Sequence, residues 1–318
     1  MKFAVALLIT AFASLSAWGQ APTLHIVTEI PNLPSELYYG NVKVKPLRLR
    51  PGTNTPITIN DADFFVNQQY VDFLSRFPDQ SGFDFWNGQI TSCGSDANCI
   101  AGQRDNTSGA FFLSIEFQET GYLAERMYKV AYGDATGAST LGGNHNLSVP
   151  IIRRSEFLPD QLQLSNGVII GQPNAQQILE ANKVQYANDF VARSRFTAIY
   201  NSMSNQQFVD ALNVNSGNAL SASQVSGFVA GLNNSSLTRA QVVRQTAEDS
   251  DLVNAEKNKA FVLMQYLGYL RRDPNSGQDT DYTGYDFWLG KLNQHGGDFH
   301  AAQMVRSFIV SGEYLNRF

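Results

Sequence analysis

Two stretches of this 318-residue chain match each other block by block, and that match limits the folds open to it. The matched blocks, in chain order, are FVNQQYVDFLSRFPD (65–79) with FVLMQYLGYLRRDPN (261–275), GFDFW (82–86) with GYDFW (284–288), and FFLSIEF (111–117) with FIVSGEY (308–314). Three blocks in the same order indicate an internal duplication. We call residues 61–123 segment A and residues 256–318 segment B.

The hydrophobic pattern in and between these segments is helical. Near the end of the chain, apolar residues recur at the spacing of one helix face: Ala301, Met304, Val305, Phe308 and Ile309. Capping boxes mark helix starts in the middle region: Ser204 with Gln207, Ser221 with Gln224, and Thr238 with Gln241. These patterns predict a mainly α fold, with two related helical-bundle units, a helical connector between them, and a short N-terminal extended or β arm.

The same patterns divide the chain into parts. TLHIVTEI and VKVKPLRLRP show β-type alternation near the N-terminus. Residues 133–150 are rich in Gly, Ser and Asn, which predicts a flexible loop. The predicted parts are a signal peptide (1–19), an N-terminal arm (20–60), helical unit 1 (61–132), a connector (133–203) and helical unit 2 (204–318), in which 204–255 is a degenerate part and 256–318 the clear repeat.

The first residues carry the pattern of a secretory signal. Met1 and Lys2 give a basic start, an uncharged apolar run extends to Trp18, and Ala17 and Gly19 supply the small residues of a cleavage site. The run is shorter than the ~20 residues that cross a bilayer, so a retained anchor is the weaker alternative. We expect a secreted, cell-surface or periplasmic protein with no transmembrane segment once the signal is removed.

The net charge limits the classes of possible partner, and the two cysteines bear on disulfide formation. The formal net charge is −5 and no block is rich in Lys and Arg, so a nucleic-acid partner has no electrostatic basis. Cys93 and Cys99 lie close together, and in an oxidising compartment they are predicted to form a disulfide. A two-cysteine metal site is the alternative, but no His lies nearby to complete it.

Segment B has an acidic insertion between its first two blocks, and two interpretations of it stay open. The candidate calcium ligands, at positions 1, 3 and 5 of an EF-hand-like loop, are Asp279, Asp281 and Thr283. Position 12 should be a bidentate Glu but is Gly290, so any calcium binding should be weak. The other interpretation is a solvated acidic turn, with Asp286 capping the next helix. No other cofactor is predicted.

The GFDFW and GYDFW blocks also allow two interpretations. Trp86 and Trp288, each preceded by Phe, occur where a helix should be anchored to a core, which favours buried packing. In an exported protein, exposed tryptophans would instead suit stacking against sugars. Burial of the two tryptophans would exclude the sugar interpretation.

Each segment also carries one arginine after its first helix and one glutamate in its third block. The pairs are Arg76 with Glu116 and Arg272 with Glu313. We expect each pair to form an ion pair that joins the two ends of its unit. Catalysis by the glutamates is the alternative, but nothing in the sequence places a second carboxylate beside each, as glycoside hydrolysis requires.

The matched blocks resemble a bacterial domain-of-unknown-function family numbered 4214 and, more distantly, phycobilisome linker polypeptides. The resemblance covers segments A and B and, weakly, residues 204–255. It implies an all-α module of exported or surface-associated bacterial proteins, with no established activity and no catalytic residues to transfer. The function expected is therefore a non-enzymatic structural or binding module in adhesion or at the envelope, with an unknown protein or glycan of the cell envelope as partner. The alternative is an extracellular glycan-binding or glycan-processing protein.

Overall fold

The computed structural model describes residues 24–27, 36–44 and 48–318, and this part of the chain is mainly helical, as the sequence predicts. The predicted signal peptide and much of the predicted arm lie outside the described residues. Met1–Pro46 and Leu47–Phe318 are separate units. In the first unit, the described residues form an antiparallel sheet in the order β1-β2-β3: β1 (Leu24–Val27), β2 (Glu36–Tyr39) and β3 (Val42–Val44).

The second unit consists of helices and one hairpin. Its helices are α1 (Ala62–Gln69), α2 (Gln80–Thr91), α3 (Ala97–Leu113), α4 (Ile115–Gln118), α5 (Gly121–Tyr132), α6 (Arg154–Ser165), α7 (Ala175–Ala192), α8 (Ser194–Tyr200), α9 (Asn205–Asn215), α10 (Ala222–Asn233), α11 (Arg239–Ala247), α12 (Ser250–Met264), α13 (Thr283–Gln294), α14 (Met304–Ile309) and α15 (Gly312–Leu315). Among the described residues, no helix is long and apolar enough to cross a membrane.

Each segment contains the same irregular turn after its first helix. Helix α1 continues into a π-helical stretch, Tyr70–Leu74, and α12 continues into Gln265–Leu270. Both stretches end at a residue in the left-handed region, Ser75 with φ 54° and Arg271 with φ 52°. A non-glycine residue there costs on the order of 1 kcal/mol, so surrounding contacts must hold it.

The turn directs the following arginine back over the tyrosine that opens the block. The Arg76 amide donates to the Tyr70 carbonyl, and the Arg272 amide donates to the Tyr266 carbonyl. As a result the Arg76 guanidinium lies 4.9 Å from the Tyr70 ring centroid, and the Arg272 guanidinium lies 5.2 Å from that of Tyr266. Such cation–π contacts stabilise the reversed chain direction.

Segments A and B pack against each other through these π-helical stretches. Phe73 and Tyr269 occupy matched positions, and their rings meet edge to face at 5.0 Å between centroids. The Tyr269 hydroxyl donates to Gln69 Oε1 at 2.7 Å. Phe112 stacks on Phe261, with centroids 4.0 Å apart. The two segments therefore share one aromatic core.

A charge with no exposed surface fixes this contact further. The Asp72 side chain is 0% exposed and accepts from both terminal nitrogens of Arg317, at 2.8 and 2.9 Å. Arg271 Nη2 lies 3.4 Å from the same carboxylate. The position matched to Asp72 in segment B is Gly268, where a Cβ would come within 3.3 Å of the Asp72 carbonyl oxygen. A side chain at position 268 would therefore press against the backbone of Asp72.

Removing this carboxylate should therefore destabilise the fold strongly. We expect Asp72→Ala to lower the free energy of unfolding by about 3–5 kcal/mol, because two arginines lose a buried counter-charge. Asp210→Ala is the control, since Asp210 is exposed on α9 and its carboxylate accepts from Gln206, one turn away. We expect the control to change stability by less than about 0.5 kcal/mol. Urea unfolding compares them, and equal losses for the two variants would contradict the assignment.

The helix starts predicted from capping boxes are confirmed. Ser204, Ser221 and Thr238 each precede a helix, accept from the backbone amide three residues later, and are bonded in return by the glutamine there. Each box satisfies two backbone donors that a helix start otherwise leaves open. These local signals place α9, α10 and α11 between the two segments.

The predicted disulfide is also confirmed. Cys93 and Cys99 are bonded, with their Cα atoms 5.5 Å apart. The bond joins the turn after α2 to the first turn of α3, where Asp96 caps α3 by accepting from two backbone amides. It fixes the angle between the second and third blocks of segment A.

The prediction of a flexible loop over residues 133–150 is wrong. Strands β4 (Ala135–Ser139) and β5 (His145–Val149) pair as an antiparallel hairpin. Contacts with segment B hold it: the Tyr282 amide donates to the Ala138 carbonyl at 2.8 Å. Gly137 allows the approach, because a Cβ there would lie 2.4 Å from the Tyr282 ring. The stabilising partner is distant in sequence, so local composition could not indicate it.

The predicted helix cap at Asp286 is wrong for a related reason. Helix α13 begins at Thr283, so Asp286 lies inside it. Its carboxylate instead accepts from Ser139 Oγ at 2.8 Å and lies 2.9 Å from His145 Nε2. Asp286, which the sequence suggests as a helix cap, therefore binds the hairpin instead.

Candidate functional site

Each segment forms a shallow cleft from the same set of side chains. Cleft A, in segment A, has a volume of about 300 Å³, and cleft B, in segment B, has about 280 Å³. Residues at matched positions that line both are Tyr70 and Tyr266, Arg76 and Arg272, Trp86 and Trp288, Phe111 and Phe308, and Glu116 and Glu313. Each cleft also has an aspartate, which is Asp79 in cleft A and, from the insertion, Asp279 in cleft B.

The predicted arginine–glutamate pairs form the floor of the clefts. Arg76 donates from Nε and Nη2 to the two oxygens of Glu116, at 2.7 and 2.8 Å. Arg272 makes the same two bonds to Glu313, at 2.6 and 3.0 Å. A bidentate pair of this kind fixes direction as well as distance. Each pair ties the end of a π-helical stretch to the short helix of the third block.

A second carboxylate lies beside each arginine. Asp79 Oδ2 is 3.6 Å from Arg76 Nη1, and Asp79 Oδ1 accepts from the Gly82 amide at 2.9 Å as the cap of α2. That amide hydrogen bond is the main cause that lowers the pKa of Asp79. In cleft B, Asp279 Oδ2 accepts from Arg272 Nη2 at 2.7 Å. Each cleft therefore combines one guanidinium with two carboxyl groups.

A tyrosine hydroxyl reaches the start of the next helix in both clefts. A Cβ at Gly82 would lie 2.1 Å from the Tyr70 oxygen, and one at Gly284 would lie 2.6 Å from the Tyr266 oxygen. This contact explains why both second blocks begin with glycine. Burial, together with the charge of Asp79, raises the pKa of Tyr70 to about 12, so its hydroxyl keeps its proton at neutral pH.

The expected burial of both aromatic residues in the second blocks is only partly correct. Trp86 and Trp288 are half-buried and pack on the phenylalanine of the third block, with centroids 5.9 and 5.6 Å apart. Phe85 and Phe287 are 56% and 43% exposed. Successive helix residues point about 100° apart, so Phe and Trp cannot both face the core. The half-buried tryptophans leave the sugar interpretation open.

The clefts differ where segment B has its insertion. Arg272 Nη1 donates to the carbonyl oxygen of Ser276 in the insertion at 2.8 Å, so the insertion folds onto the arginine. Lys291 Nζ lies 5.3 Å from the Trp288 ring centroid. At the position of Lys291, segment A has Gln89. The side chains of cleft B thus have partners within the protein that those of cleft A lack, although the two volumes are similar.

The three candidate calcium ligands make different contacts within the protein. Asp279 binds Arg272, while Asp281 Oδ1 accepts from the Thr283 amide at 2.8 Å, which lowers the pKa of Asp281. Thr283 Oγ1 accepts from the Thr140 amide at 2.9 Å. Within residues 24–27, 36–44 and 48–318, no group of three or more His, Cys, Asp or Glu side chains could hold a metal ion. Calcium binding stays a prediction, and its ligands would have to exchange these partners.

We expect millimolar calcium to leave the thermal unfolding midpoint at its value in chelator, because the Asp279–Arg272 bond would have to break before calcium could bind. A stabilising site would raise the midpoint with calcium concentration. Thermal unfolding of the wild type and of Asp281→Asn, each with calcium and with chelator, tests this. A calcium-dependent rise in the wild type that the variant lacks would contradict the expectation.

A further acidic group lies buried in the core, away from both clefts. Glu125 is 3% exposed, and its Oε2 has no hydrogen-bond partner among the described residues. The charged groups that act on it are Glu256, Arg126, Lys259 and Lys129. Burial is the largest cause and the Glu256 charge the second, and they raise the pKa of Glu125 from 4.5 to about 8. Both causes favour the protonated form of this carboxyl in the folded protein.

The raised pKa makes stability depend on pH. The unfolded chain loses this proton near pH 4.5 and the folded one near pH 8, so this group's contribution is complete below pH 4.5 and declines up to about pH 8. We expect Glu125→Gln to remove that decline. Glu180→Gln is the control, because Arg244 lowers the pKa of exposed Glu180. Unfolding midpoints from pH 4 to 9 measure both, and an unchanged decline in Glu125→Gln would contradict this expectation.

No family model, curated protein or solved structure matches the chain. We therefore infer function from the clefts themselves. The signal that could have found them was present in the sequence, since tyrosine, arginine, glutamate and tryptophan recur at matched positions. What the blocks do not reveal is that these residues meet on one surface.

Proposed function

We propose that the chain is a non-enzymatic, exported bacterial binding module of the family numbered 4214, and that clefts A and B are its binding surfaces. The observation that carries the proposal is the recurrence of the same aromatic, acidic and basic side chains around both clefts. Close packing of the core would account for the apolar residues of this set. It would not account for an arginine and two carboxylates beside a half-buried tryptophan in both clefts.

The arginine–glutamate geometry supports a role without catalysis. Both oxygens of Glu116 accept from Arg76, and both oxygens of Glu313 accept from Arg272. A carboxylate held by a bidentate guanidinium is suited to fixing the shape of a cleft. A general acid or base needs instead an oxygen directed at the reacting group.

Export is supported by the pattern of residues 1–19 and by the disulfide. A Cys93–Cys99 bond is stable in an oxidising compartment and rare in a reducing one. The partner would then be a protein or glycan of the cell envelope. A glycan is the second candidate, favoured by the exposed Phe85 and Phe287 beside each half-buried tryptophan.

Sedimentation with purified envelopes of the producing bacterium tests the proposal. We expect the wild-type protein to sediment with envelopes, and the double variant Trp86→Ala with Trp288→Ala to lose most of that binding, because both clefts lose an aromatic wall. Val214→Ala is the control, since Val214 is 67% exposed on α9, which lines neither cleft.

A folding defect must be separated from a binding defect. Phe85→Ser with Phe287→Ser changes exposed rings only, so this pair should keep the wild-type circular dichroism spectrum and midpoint while weakening sedimentation. Undiminished sedimentation of both double variants would overturn the clefts as binding surfaces.

A further inference from the structure

We propose that cleft A binds one neutral sugar ring of an envelope polysaccharide, stacked on Trp86, and that cleft B, although similar in volume, does not bind this ligand because Lys291 and the insertion contact the groups that would bind it. This inference rests on the proposed binding function and names the ligand class. It also separates two clefts that the matched blocks alone would treat as equal.

The aromatic wall of cleft A has surface left for a ligand. Trp86 is half-buried against Phe111, and Phe85 meets it edge on, with centroids 4.9 Å apart. More than half of the Phe85 side chain is exposed. The two rings together give an apolar surface that continues from Trp86, which lines the cleft, to the exposed Phe85 beside it. The C–H face of a pyranose carries the slight positive charge that suits the negative face of such rings.

The polar groups of cleft A match sugar hydroxyls, which both donate and accept. Tyr70 is 4% exposed and lines the cleft, and its hydroxyl lies against Gly82 at the start of α2. Asp79 and Glu116 add carboxylate oxygens, whose several lone pairs are not all used by their protein partners. A few convergent polar groups beside an apolar wall are typical of small-ligand sites.

The charges favour a neutral ligand over an ionic one. The Arg76 guanidinium already lies over the Tyr70 ring and binds Glu116. An incoming ammonium group would therefore meet the positive charge of Arg76 at the place where the ring and the carboxylate would otherwise attract it. An anion would face Asp79 and Glu116 together. A neutral polyol bears neither Coulomb cost and keeps the arginine–glutamate pair intact.

The size of cleft A suits one ring of a longer chain. Its volume of about 300 Å³ lies at the lower end of the ~300–1,000 Å³ of small-ligand sites. The cleft is shallow, so neighbouring sugar units would extend into solvent. A polysaccharide fits this shape better than an enclosed metabolite does.

Cleft B is built from similar residues, but more of its polar groups bind one another. Lys291 lies over Trp288, and Asp279 of the insertion accepts from Arg272 at 2.7 Å, where the Asp79–Arg76 distance in cleft A is 3.6 Å. Arg272 also donates to the carbonyl of Ser276 in the insertion, whereas its bond to the carbonyl of the next residue, Asp273, has a counterpart in cleft A between Arg76 and Phe77. The chain therefore provides its own matched control for every substitution in cleft A.

The test is equilibrium binding of the mature protein to soluble neutral, anionic and cationic oligosaccharides, with a lysine-rich peptide as a further probe. We expect binding to a neutral oligosaccharide alone. Trp86→Ala should weaken it by on the order of tenfold, the loss of roughly one aromatic contact, while Trp288→Ala should leave the affinity within about twofold. Phe85→Ser should weaken binding and Phe287→Ser should not, which removes folding as an explanation.

The outcomes separate this inference from the function on which it rests. Equal effects of Trp86→Ala and Trp288→Ala, or binding of only charged sugars or the peptide, would overturn the inference while leaving a binding function. Binding to none of the probes, with envelope sedimentation still lost in the double tryptophan variant, would replace the sugar with another envelope ligand. If sedimentation is also insensitive to both tryptophans, the proposed function itself fails.

Discussion

The bidentate contact between Arg76 and Glu116, repeated by Arg272 and Glu313, is the interaction on which the rest of the structure depends. It connects the end of an irregular turn to a helix some forty residues later. Burying such a pair adds little net stability, because desolvation offsets most of the Coulomb attraction. What it contributes is direction, since only one arrangement of the turn lets the guanidinium meet both oxygens. This arrangement requires the residue before each arginine to adopt the unfavourable left-handed conformation.

The same turn explains why the two segments differ where they touch. Matched positions of segments A and B meet at the interface, so identical residues there would place two copies of the same side chain in contact. Phe73 and Tyr269 can pack together because aromatic edges and faces attract. At the matched pair Asp72 and Gly268, the backbone of Asp72 lies close to Gly268, and only segment A carries a side chain. The Asp72 carboxylate is neutralised by Arg317 from the end of segment B.

The acidic insertion of segment B follows from a similar logic. Asp279 extends to Arg272 at hydrogen-bond distance, and the Ser276 carbonyl of the insertion accepts from the same guanidinium. In segment A the arginine is contacted by a capping aspartate at longer distance. Segment B thus uses its extra residues to contact Arg272, whereas Arg76 in segment A lacks these contacts and lies near the half-buried Trp86. A difference in six residues of loop is enough to make two related clefts unequal.

The sequence by itself determined the helical class, the capped starts of α9, α10 and α11, the Cys93–Cys99 bond and the two arginine–glutamate pairs. Each of these depends on residues close in sequence or on a pattern that repeats. Only the tertiary structure decided that residues 135–149 form a hairpin, that Asp286 faces His145, that Phe85 is exposed and that the pKa of Glu125 is raised by burial. These depend on partners distant in the chain or on loss of water around a group, and local composition records neither.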